Sequence, residues 1–62
     1  MNRIKEIRLK VGMTQIALAK ALGVSQPYIY DLENGNRRLS KANKTKIAEL
    51  LECKPEDIEP QT

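Results

Sequence analysis

Sixty-two residues with 40% apolar and 31% charged side chains make one small domain, able to bury only about 60% of its unfolded surface. A single cysteine, Cys53, excludes an internal disulfide, and no apolar run approaches the ~18 residues of a membrane span. Without histidine, a second cysteine for a metal site, a glycine-rich phosphate loop or a paired-carboxylate motif, the chain offers no catalytic, metal or cofactor site and no evident small-molecule pocket. The basic, broken N-terminus lacks a signal peptide's apolar stretch, so a cytoplasmic location with no membrane association is expected. Residues 1–46 hold ten basic and three acidic groups, whereas residues 47–62 hold one basic and five acidic. A positive field concentrated on one part of so small a domain is what a polyanion partner needs, although a solvated surface explains it equally well.

Taken in order, Asn2 to Val11 reads as a first helix, with Ile4, Ile7 and Val11 at helical spacing and Gly12 as its stop. Arg8, four residues after Ile4, borders the apolar stripe, and a charge there needs a partner. Thr14 caps a second helix, Gln15 to Leu22, whose apolar set is Ile16, Leu18, Ala19 and Leu22. Ser25 caps a third, Gln26 to Asn34, with Pro27 in the first turn, where its missing N–H has no intrahelical partner to lose. Met13 and Val24 stand at the right offset from Leu18 and Ile29 to close a hydrophobic staple over each start. At about 100° per residue, Ile29, Leu32 and Glu33 share one face of the third helix, and Pro27, Tyr30, Asp31 and Asn34 share the other. That second face carries short hydrogen-bonding groups and no lysine or arginine, which suits base edges better than phosphates.

Gly35 ends the third helix, and Asn36, Arg37 and Arg38 form a basic loop. Leu39 turns inward. Ser40 caps a fourth helix running to about Glu52, with Ile47, Leu50 and Leu51 inward and Lys41, Lys44 and Lys46 near its start. Pro55 to Ile58 reads as one last helical turn, and residues 59–62 as a frayed tail. Two helices joined at Gly23, spanning residues 14–34, are the sequence form of a helix-turn-helix.

These segments, MTQIALAKALGVSQPYIYDLENG, then RRLS, then IAELLECKPEDI, resemble the Cro and lambda-repressor type helix-turn-helix domains of phage and bacterial regulators, from about Ile4 to Ile58. The resemblance implies an all-α, five-helix bundle whose third helix lies in the major groove of double-stranded DNA while the second crosses the backbone. It further implies a sequence-specific transcriptional regulator, a repressor, pairing as a homodimer on a pseudo-palindromic operator. Gln26 matches the base-reading position, and glutamine can pair bidentately with adenine. Pro27, Tyr30 and Asp31 join it as base-readout candidates. Gln15, Ser25, Tyr28, Asn34, Arg37, Arg38 and Lys41 match backbone positions, and Arg8 with Glu33 matches a structural ion pair. Pro27 departs from the polar residue of some relatives and offers only apolar contact.

Plainer readings stand beside these. Thr14 and Ser25 serve as caps whether or not they touch a ligand, and Tyr28 divides evenly between packing and DNA contact. Cys53 reads as a small buried hydrophobe. A second function class keeps the fold but binds a protein, as an antitoxin-like or adaptor subunit. Charge reversal at Arg37 and Arg38 separates the two, since it leaves protein binding intact. Either the chain is complete and pairs weakly or only on DNA, or it is the DNA-binding part of a longer regulator.

Overall fold

The computed structural model describes residues 2–59, and among them every regular element is a helix. The elements are α1 (Ile4–Lys10), α2 (Gln15–Leu22), α3 (Gln26–Glu33), α4 (Lys41–Leu50) and α5 (Pro55–Ile58). Helix α2 packs on α3 and on α4, and α4 packs on α5. The all-α five-helix architecture expected from the sequence is therefore present.

Caps and breakers set these limits. Thr14 Oγ1 accepts from the Ala17 N–H at 3.0 Å, and Ser40 Oγ from the Asn43 N–H at 3.1 Å. Each bond satisfies a donor that the first helical turn leaves open, worth about 1 kcal/mol. Between α2 and α3 the chain reverses at Gly23, whose φ of 79° lies in the left-handed region. There the Gly23 and Val24 N–H groups both return to the Ala19 carbonyl, at 2.8 and 2.9 Å. A side chain at Gly23 meets no neighbour, so the demand for glycine comes from the backbone alone.

Both ends of α1, the ends of α3 and α4, and the surroundings of several side chains differ from expectation. Helix α1 begins at Ile4 with Arg3 as its N-cap, and the Arg3 N–H, which has no acceptor within the helix, donates to the Ile58 carbonyl at 2.7 Å. Asn2 uses its side chain twice, donating to the Leu32 carbonyl at 2.7 Å and accepting from the Ile4 N–H at 3.1 Å. Helix α3 ends at Glu33, with Asn34 as its C-cap. Helix α4 stops at Leu50 because Glu52 takes a positive φ of 55°, letting the Cys53 N–H reach back to the Ala48 carbonyl at 2.9 Å. Ile16, expected inward, is 60% exposed, and Val11 lies past the end of α1 in the open. Ser25 holds the cap position in extended conformation, but its hydroxyl makes no capping bond. Of the tail expected to fray, residues 60–62 lie outside the described residues, while Glu59 accepts from Lys44 Nζ at 3.3 Å.

The core sits where the helices meet. Ile4, Leu18, Ile29, Leu32, Ile47, Leu51 and Ile58 are buried, joined by the small Ala19 and Ala48, which let the helices approach closely. Each large side chain contributes about 1.5–3 kcal/mol of transfer free energy. Met13 and Val24 pack on this cluster from just before the α2 and α3 caps, as the staple offsets require. Leu39, Tyr28 and Cys53 close its edges.

Candidate nucleic-acid interface

A chain of polar side chains runs from the core to the outer edge of the helix-turn-helix, and it begins with the charge that sequence left in need of a partner. Arg8 is 6% exposed. Its Nε donates to Glu33 Oε2 at 2.7 Å and its Nη2 to Oε1 at 3.3 Å, an ion pair with two contacts. Nη1 donates to the Met13 carbonyl at 2.8 Å. The Glu33 side chain is 1% exposed, so the pair is closed to water. Among the described residues no buried side-chain nitrogen or oxygen lacks a partner.

The chain continues outward through two glutamines, each the first residue of its helix. Gln15 Nε2 donates to Glu33 Oε1 at 2.9 Å, and Gln26 Nε2 donates to Gln15 Oε1 at 2.6 Å. A carboxylate only accepts, so Glu33 fixes which way both amides point. Gln15 must turn its nitrogen inward, which leaves its oxygen for Gln26. Gln26 then gives one N–H to Gln15 and keeps its carbonyl oxygen and its second N–H for a ligand. One donor and one acceptor side by side match adenine N7 and N6.

The other expected base-readout residues lie on α3 as placed by helical spacing. Pro27 and Tyr30 are exposed, Tyr30 by 51%, and Asp31 is half-buried. Asn34, grouped with the backbone positions, turns its Nδ2 onto the Tyr30 carbonyl of its own helix at 2.8 Å. Its oxygen and its second N–H are then left for a ligand. Ser25, Arg37, Arg38 and Lys41 are exposed around the two ends of α3 and the start of α4.

Tyr28, evenly divided between packing and contact on sequence grounds, is half-buried and tied on two sides. Its hydroxyl accepts from Asn43 Nδ2 at 2.8 Å, and the Arg37 guanidinium lies 5.1 Å from its ring centroid. Sequence reading missed Asn43, because neither charge nor periodicity marks a polar residue in the first turn of α4. It also missed the link between Gln15 and Gln26, although two glutamines at the same position of consecutive helices were a visible signal. Cys53 packs against the core, and burial pushes its thiol above the ordinary cysteine value, so it stays protonated near neutral pH.

Residues 4–58 match the family described as Helix-turn-helix. An uncharacterized HTH-type transcriptional regulator from Archaeoglobus fulgidus is 46% identical over 57 residues, covering 92% of this chain and 80% of that protein. Control protein C.BamHI of Bacillus amyloliquefaciens is 37% identical over 58 residues, covering 92% and 72%. The crystal structure of the restriction-modification controller protein C.AhdI from Aeromonas hydrophila superposes with a TM-score of 0.83 at 33% identity, covering 89% of this chain and 83% of that one. With family, relatives and fold in agreement, the chain belongs to the Cro and lambda-repressor type of helix-turn-helix, a family of DNA-binding transcriptional regulators.

Proposed function

We propose that the protein is a sequence-specific regulator that lays α3 in the major groove of double-stranded DNA and represses by occupying its operator. The observation that carries this is the anchored amide of Gln26 at the start of α3, held by Gln15 with one donor and one acceptor still free. A side chain already fixed in its reading geometry loses little freedom on binding, which favours a specific contact over a general one. Gln15, with its second N–H unspent, faces phosphate beside it, and Ser25, Tyr28, Asn34, Arg37, Arg38 and Lys41 hold the backbone on either side. Pro27, Tyr30 and Asp31 complete the reading face. Two copies on a pseudo-palindromic site, in the cytoplasm, place two such helices one turn of DNA apart.

The test is Gln26→Ala in titrations against duplexes that differ at single base pairs. Discrimination at one adenine should fall by about 1–3 kcal/mol, or about 5- to 150-fold, while affinity for unrelated duplexes stays unchanged. Equal loss on every duplex, or no loss on any, contradicts the assignment of Gln26 to base reading.

A further inference from the structure

Tyr28 joins three pieces of the chain that carry different jobs. It stands in α3, its hydroxyl accepts from Asn43 in α4 at 2.8 Å, and its ring lies beneath Arg37 of the intervening loop at 5.1 Å from the centroid. Arg37 is exposed and makes no ion pair among the described residues, so the aromatic face is what directs it. A guanidinium held over the face of a ring spends none of its N–H groups there, and those are the groups that meet phosphate. Because Asn43 donates to the phenol oxygen, the tyrosine keeps its own proton to donate elsewhere.

We propose that Tyr28 is a positioning residue: its ring is the platform that aims Arg37 at a DNA phosphate, and Asn43 locks that platform to α4. The proposal rests on the reading that the chain binds DNA, and it assigns Tyr28 a role through Arg37 that is separate from any contact of its own. A flexible arginine on a short loop samples many directions, and the stack removes most of them before DNA arrives. Tyr28→Leu keeps apolar bulk at the core edge and removes the platform. Tyr28→Phe keeps the platform and removes the bond to Asn43.

The experiment is a titration of each variant with a mixed-sequence duplex between about 50 and 200 mM salt, with thermal melting to confirm folding. Each phosphate contact contributes about 0.9 to the slope of log affinity against log salt, so losing one makes the fall in affinity over this range about three- to fourfold shallower. Tyr28→Leu and Arg37→Ala should each show that loss, the two together no more than either alone, and Tyr28→Phe, which keeps the ring but gives up the bond to Asn43, should show less of it than Tyr28→Leu. In the free wild-type protein, the Arg37 δ-proton resonances should be shifted upfield by the ring, a reading independent of whether Tyr28→Leu folds. A folded Tyr28→Leu with an undiminished slope, or unshifted Arg37 resonances, overturns the proposal while leaving DNA binding in place. A wild-type protein whose affinity for DNA does not fall with salt overturns the DNA reading, and the proposal with it.

Discussion

Arg8→Ala is expected to destabilise the domain by about 3–5 kcal/mol, because it leaves the Glu33 carboxylate, 1% exposed, without its cation. The same change strands the Met13 carbonyl that Arg8 Nη1 now serves at 2.8 Å. A domain of 62 residues has only about 3–9 kcal/mol of total stability, so at least about a third of it goes. Its melting midpoint should drop by more than about 12 °C, at roughly 4–8 °C per kcal/mol. The double variant Arg8→Met, Glu33→Leu should recover much of that loss, since an apolar pair of similar volume needs no compensation for desolvated charge. It should not recover base discrimination, because Gln15 then has no carboxylate to fix its amide and Gln26 no fixed partner. Melting of the single and double variants checks the first point, and titration of the double variant against matched and mismatched duplexes checks the second. A shift below about 0.5 kcal/mol for Arg8→Ala would show that the ion pair is not the closed pair described above.

Ile29→Ala should cost about 2–5 kcal/mol, while Ile16→Ala should stay within about 0.5 kcal/mol. Both isoleucines fall in apolar sets by helical spacing, yet Ile29 is fully buried between helices and Ile16 is 60% exposed. Ile29 also seats α3 against α2, so its loss leaves a cavity under the helix that carries Gln26. Denaturant unfolding of both variants decides the matter, and equal costs would contradict the packing of α2 against α3.

The contrast between those two residues shows what the sequence could and could not reveal. Periodicity places the first four helices, and the caps at Thr14 and Ser40 and the turn at Gly23 mark both ends of α2 and the starts of α3 and α4, because these depend on residues near in sequence. Periodicity alone does not say how wide the buried stripe is. Ile16, at the opening of α2, falls just outside what the neighbouring helices cover. Bonds to distant residues were equally hidden: the Arg3 N–H is drawn to Ile58, and nothing near Asn2 announces that Leu32 will claim its side chain. The site divides along the same line. That Arg8 needs a partner is legible from its place beside the stripe. That Glu33 also orients Gln15, and through it Gln26, requires the two helix starts to be brought together in space. Asn43 is the extreme case, a residue with no local signal that gains its role from a tyrosine fifteen positions away.

The claim that this chain reads DNA sequence is tested most directly by selecting from a randomised duplex pool with the wild-type protein and measuring the recovered site across salt concentrations. The account predicts an enriched pseudo-palindrome with half-sites about one helical turn apart, bound with affinity that falls steeply as salt rises. A pool that emerges without an enriched sequence, bound weakly and alike by wild type and Gln26→Ala, would contradict it, and would mean that the fold serves a protein partner instead.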